Sequence, residues 1–138
     1  MRLRVLYVGR PRNRALNEAA ADYARRIAHF CDFAQQELKN AEQARKKFPN
    51  AALVALDPAG RELDSAAFTR WLERQQNSGA RELVFVVGGA DGLPPALRDA
   101  CELLSLSRLT LPHELARVVL LEQLYRGFAT LRNHPYPR

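Results

Sequence analysis

The residues best placed to do chemistry lie in the last third of the chain, Leu83 to Arg138. Leu83 to Val87 form an uninterrupted apolar run, four of them Val or Phe, which is the pattern of a strand buried on both faces of a parallel sheet. The run stops at Gly88-Gly89, with Gly92 close behind. Backbone N–H groups stand there without side chains in the way, so a ligand can approach the main chain closely. Pro94 and Pro95 then open a helix, as proline prefers. A second wall for such a pocket is the apolar, hydroxyl-rich segment Leu104 to His113, stopped by Pro112. From His113 the spacing is helical: Leu115, Val118, Val119, Glu122, Tyr125, Arg126 and Ala129 recur at i, i+3, i+4, which places two charges on an apolar face. One reading makes them an intrahelical Glu122–Arg126 pair worth about 0.2–0.5 kcal/mol. The other gives them a chemical task.

Several familiar chemistries do not fit. The glycines are spaced G-G-x-x-G and not G-x-G-x-x-G, they come late in the chain, and no acidic ribose anchor follows at about 20 positions, so a dinucleotide fold is excluded. No lysine and hydroxyl follow them, which removes a Walker phosphate loop. His29, His113 and His134 are far apart and lack ligand spacing, so no metal site is expected. Cys31 and Cys101 suggest neither a disulfide framework nor zinc and read as free buried thiols. Cys101 falls in an expected helix among apolar neighbours, where a thiolate nucleophile is disfavoured.

The segment VGGADGL, followed by LSLSRLTLPHELARVVLLEQLYRGFATLRNHPY, resembles the RlmH family of ribosomal RNA methyltransferases, small members of the SPOUT class. The similarity is close from about Leu53 onward, and the opening MRLRVLYVGR also fits. Two departures stand out: Asn40 to Asn50 is shorter than the corresponding family region, and Pro137 occupies the place of a second tail histidine. The resemblance implies a C-terminal trefoil knot, an exception to the rule against knots. It also implies a homodimer and S-adenosylmethionine bound in the knot. The reaction it implies is methyl transfer to N3 of a pseudouridine in 23S ribosomal RNA of the large subunit.

On that footing the cofactor is expected on main chain at Leu56, at Gly88 and Gly89, and along Leu106, Ser107, Arg108, Leu109, Thr110 and Leu111. These stretches are apolar or glycine-rich, as an adenine slot requires. Arg126 is the candidate to stabilise a developing uridine anion, because guanidinium stays charged and donates several hydrogen bonds. His134 and Tyr136 in the tail are the candidates to assist it, with His113 at the helix start as a further one. Plainer roles stand beside these: His113 as a helix cap, Tyr125 as core, Arg117 as a surface or interface ion pair. The alternative from another class is a basic RNA-binding or ribosome-assembly protein of the same fold without turnover, and Pro137 is the feature that keeps it open.

The rest of the chain must position these groups. Arg2 to Gly9 reads as a first strand, partly facing water, and Pro11 begins its exit loop. Ala15 to Phe30 is an ordinary covering helix with His29 on its solvated end. Asp32 to Leu38 reads as a second strand. The polar stretch Lys39 to Asn50 reads as a solvated loop or short helix, or as a phosphate-contacting patch of Lys39, Arg45, Lys46 and Lys47. Ala51 to Leu56 is a buried strand closed by a turn at Asp57 to Gly60, and Asp64-Ser65 caps a helix from Ala66 to about Gln76, with Phe68, Trp71 and Leu72 inward. The sum is an α/β fold with a mainly parallel sheet and flanking helices, whose ligands sit beyond strand carboxyl ends.

Length and charge agree with this. At 138 residues and 47% hydrophobic content, the chain is expected to form one domain over 1–138 with a real core. A net charge of +6 favours a polyanionic partner such as RNA. No apolar run approaches the roughly 18 residues of a membrane span, and the N-terminus lacks a signal-peptide core. A cytoplasmic protein without membrane attachment is therefore expected.

Overall fold

Alternation of apolar side chains divides the sheet into two buried faces. In the computed structural model, which describes residues 1–136, the elements run β1 (Arg2–Val8), α1 (Arg14–Ile27), β2 (Asp32–Leu38), α2 (Gln43–Lys47), β3 (Ala52–Glu62), α3 (Ser65–Asn77), β4 (Glu82–Val87), α4 (Pro95–Ala100), β5 (Glu102–Ser105) and α5 (His113–Leu131). Leu3 and Val5 of β1, with Leu83, Phe85 and Val87 of β4, join the core beneath α1, α3 and α5. Leu6, Val84 and Val86 join the opposite core with Ala44 of α2 and Leu97 of α4. The order is β2-β1-β4-β3-β5 and every pairing is parallel. Because β4 is central and covered on both sides, it can be hydrophobic at every position from Leu83 to Val87, all of them buried.

The local signals explain most boundaries. Asp64 caps α3, its Oδ1 accepting from Ala67 N at 2.7 Å. Asn13 does the same for α1, accepting from Leu16 N at 2.9 Å. Phe68, Trp71 and Phe85 stack or meet edge-on between α3 and β4, and Trp71 Nε1 donates to Glu102 Oε1 at 3.2 Å, which satisfies the indole's donor. The polar stretch after β2 contains the short helix α2, with Lys46 and Lys47 exposed.

Four expectations are corrected. The third strand does not end at Leu56. Residues Asp57 to Gly60 leave the ladder, with Ala59 N donating to Asp57 Oδ1 at 2.8 Å, and the strand resumes so that both Leu56 and Arg61 lie opposite Leu104. Cys101 lies outside the helix, as the extended residue after α4. It and Cys31 are half-buried and free. On α5 the buried stripe is Leu120, Leu121, Leu124, Tyr125, Phe128 and Ala129, whereas Leu115, Val118 and Val119 are half-exposed. Tyr125 and Ala129 of the expected face are buried, but the helix is apolar over so much of its circumference that periodicity alone did not place the rest of the stripe. Arg117 is no surface ion pair. It is 2% exposed, donates to Gln35 Oε1 at 3.1 Å and Asn17 Oδ1 at 2.9 Å, and stacks on the Tyr7 ring at 3.8 Å.

Gly60 carries a consequence for stability. A Cβ there would lie 2.6 Å from Leu103 C and Leu104 N, so the returning half of β3 can rest on β5 only without a side chain. Gly60→Ala is expected to lower stability by about 1–3 kcal/mol or more, the range for overpacking, because backbone and not a flexible side chain must move. Denaturant unfolding checks this, and an unchanged midpoint would be the contrary result.

Candidate active site

The point where β3 leaves its ladder after Leu56 and the carboxyl ends of β4 and β5 converge on a cleft of about 460 Å³. Leu56, Gly88, Gly89, Leu106, Ser107, Arg108, Leu109, Thr110 and Leu111 all line it, together with Asp57, Ser105, His113 and Ala116. Each wall has a local cause. After β4 the chain folds back on itself, Gly92 N donating to Gly89 O at 3.0 Å with Gly92 at φ +74°, a conformation open to glycine. After β5, Ser105 Oγ donates to Ser107 O at 3.0 Å, and Leu109 N donates to Ser107 Oγ at 2.9 Å. These bonds bend Leu106 to Leu111 around the mouth. Asp57, set at the departure point of β3, is fixed by Arg98 of α4, whose Nε lies 2.9 Å from its Oδ2.

The polar candidates form a second group, on the other half of α5. Glu122 Oε2 accepts from Arg126 Nη2 at 2.6 Å and from Arg126 Nε at 3.1 Å. The intrahelical pair is therefore present, but it is not alone. Tyr136 donates to the same Glu122 oxygen at 3.0 Å, its ring lies 5.0 Å from the Arg126 guanidinium, and its hydroxyl is 3.1 Å from that of Tyr23. Tyr125 is buried and meets the Tyr136 ring edge-on at 4.7 Å. Tyr23 and Glu122 are thus members of the cluster, and Tyr23 is one that the sequence did not single out. His134 is exposed and edge-on to Phe30 at 5.8 Å, with its backbone N–H on Ala129 O at 2.8 Å. Pro137 lies outside the described residues.

His113 opens α5 on the cleft wall, and the cap position is Pro112, which offers no side-chain bond, so His113 does not act as the cap. The first-turn carboxylate Glu114 reaches instead across to the β1–α1 loop, accepting from Arg12 N at 2.7 Å and Asn13 N at 3.1 Å. Those backbone donors hold its carboxyl below the ordinary range.

Burial first, then the hydrogen bonds shared with Tyr23 and Glu122, raise the Tyr136 phenol well above its usual value. Tyr136 consequently stays protonated at neutral pH. A difference titration of the parent against Tyr136→Phe is expected to lose a phenol that ionises above about pH 10, the ordinary tyrosine value. Since the folded pKa is raised, the stabilisation is fully present below the unfolded pKa and is lost as pH rises through the folded one. A lost phenol titrating at or below the ordinary value would contradict this. Burial likewise raises the Cys31 thiol to about 11 and the Cys101 thiol in the same direction, so neither is a ready nucleophile. Among the described residues no cluster of three metal-ligating side chains occurs, and no helix is long and apolar enough to cross a membrane.

The description "Predicted SPOUT methyltransferase" matches residues 1–137. The chain belongs to this SPOUT methyltransferase family. Among its relatives, a protein of Solibacter usitatus named ribosomal RNA large subunit methyltransferase H is 44% identical over all of both chains. One of the same name from Bordetella petrii is 42% identical over 100% of this chain and 99% of its own. A probable methyltransferase from Bordetella pertussis shares the fold, with a TM-score of 0.62 at 13% identity over 92% of this chain and 96% of that one. So does a putative methyltransferase from Legionella pneumophila, solved with its bound cofactor SAM, with a TM-score of 0.54 at 12% identity over 91% of this chain and 66% of that one.

Proposed function

We propose that this protein is an S-adenosylmethionine-dependent methyltransferase acting on N3 of a pseudouridine in large-subunit ribosomal RNA, as a cytoplasmic homodimer with a knotted C-terminal part. The observation that carries the reading is the cleft at the strand ends, walled by glycine and by the bent 106–111 segment. It suits the cofactor because a Cβ at Gly88 would already touch Leu93 Cδ2 at 3.1 Å and Gly92 at 3.2 Å. Close main-chain approach is thus built into its wall. The family membership and the relatives' name support the substrate class. They favour turnover over a purely binding or assembly role.

When bound, the cofactor supplies a methyl group already activated by its sulfonium. The chain has to hold the base nitrogen in line and favour its deprotonated form. Leu56, Gly88, Gly89 and the stretch Leu106 to Leu111 hold the cofactor in this reading. Arg126 stabilises the uridine anion, and its guanidinium is kept charged, its pKa raised first by the Glu122 hydrogen bond. Tyr136 donates to Glu122 and fixes the guanidinium's plane, while His134, exposed beside it, is placed to contact an unpaired base.

Position within α5 supports sharing between subunits. Ala116 lines the cleft, and Arg126 is about 15 Å further along the helix at 1.5 Å per residue. A partner's Arg126 group could face a cleft that the chain's own does not. The test of the activity is incubation of large ribosomal subunits with methyl-labelled cofactor, followed by mapping of the modified nucleotide. Label at N3 of a pseudouridine is expected. Subunit binding with no label would favour the assembly role.

A further inference from the structure

We infer that the loop joining β1 to α1 is a phosphate-docking platform for the RNA, with Arg10 and Arg12 as its contacts; this deepens the proposed function and rests on it. The loop borders the cleft on two sides. Where β1 ends, Val8 O lies 3.4 Å from the position of a Cβ on Gly89, a cleft residue. On the other flank Glu114, next to the cleft residue His113, holds the Arg12 and Asn13 N–H groups.

The loop is also fixed rather than merely nearby. Gly9 turns the chain at φ +93°, with its N–H on Leu38 O at 3.0 Å. Asn13 caps α1. One turn further, Asn17 accepts from buried Arg117, which stacks on Tyr7 of β1. A backbone held at so many points presents side chains in set positions.

Those side chains are cations without internal work. Arg10 and Arg12 are both exposed, and neither guanidinium has an ion-pair or hydrogen-bond partner among the described residues. Arg14 differs, since its Nε lies 3.0 Å from Glu18 Oε1. Two unpaired guanidinia on a braced loop beside a methyl-transfer cleft suit phosphate oxygens, which fix the register of a nucleic acid without reading its bases. The alternatives are weaker on the same grounds: Lys46 and Lys47 project from α2, on the opposite face of the sheet from α5.

The experiment compares the parent, Arg10→Ala/Arg12→Ala and Arg70→Ala/Arg74→Ala, the last removing two exposed arginines of α3. Binding to large ribosomal subunits is measured across salt concentrations, and cofactor binding by calorimetry. The loop variant is expected to bind subunits more weakly, with the slope of log K against log salt reduced by roughly 1.4–1.8, the loss of two phosphate contacts. Its cofactor affinity should equal the parent's, and the α3 variant should keep the parent's slope. The inference is overturned by a loop variant with the parent's slope, by an α3 variant that loses as much, or by a loop variant whose defect is in cofactor binding. If the parent itself neither binds nor labels the subunits, the proposed function fails first and the inference with it.

Discussion

Gly88→Val is expected to abolish binding of S-adenosylmethionine, raising Kd by about 100-fold or more, equivalent to about 2.8 kcal/mol. The reasoning is steric. A bare Cβ at this position would lie 3.1 Å from Leu93 Cδ2 and 3.2 Å from the Gly92 carbonyl carbon and oxygen. Valine adds two γ-carbons beyond that Cβ, on a side chain with little χ1 freedom. They crowd the Gly89–Gly92 fold-back and Leu93, which are part of the cleft wall. A displaced wall would no longer offer the cofactor a close main-chain surface. Gly89→Ala is the graded companion, because its Cβ meets Val8 O at an ordinary 3.4 Å, and a loss of less than about tenfold is expected there. Circular dichroism melts must accompany the calorimetry, so that a misfolded Gly88→Val is not mistaken for a blocked one. A folded variant with unchanged affinity would remove the cleft from the cofactor's path.

The difference between what could and could not be read in advance follows from sequence distance. Two cleft walls were legible because each is written locally: an apolar run ending in Gly88-Gly89, and a hydroxyl-rich segment ending at Pro112. The expectation that such ends converge follows from the architecture of parallel sheets. Gly60 misled because Asp-Pro-Ala-Gly is a good turn, and it does turn, yet the chain returns to the same ladder. Only the backbone of β5, some forty residues later, reveals why glycine stands there.

Arg117 was opaque for the same reason. Its partners Asn17 and Gln35 lie 100 and 82 residues away, and no helical period could announce that a cation would be buried among amides and the Tyr7 ring. Glu122 was visible as one half of an i, i+4 pair. Its hydrogen bond from Tyr136, and the contact of that phenol with Tyr23, depend on how the tail and α1 meet α5.

Mixing two inactive variants is expected to restore activity if the site is shared between subunits. In the proposed reading, Gly88→Val spoils the cofactor cleft and Arg126→Ala removes the guanidinium that stabilises the base. Within one described chain these two positions belong to separate places: Gly88 lies at the end of β4, and Arg126 sits about 15 Å beyond the cleft-lining Ala116 along α5, at 1.5 Å per residue. In a twofold dimer each working site would combine the cleft of one protomer with the Arg126–Glu122–Tyr136 group of the other. A heterodimer of the variants then has one site with both lesions and one with neither. Free exchange makes half of all dimers heterodimers, so the mixture should recover about a quarter of the parent's activity, measured as methyl label in large ribosomal subunits. Light scattering must first show that dimers form, and a tagged-chain pull-down that exchange has occurred. With both established, an inactive mixture would mean that cleft and guanidinium act within a single chain, and α5 would have to bend or the RNA base would have to cross that distance.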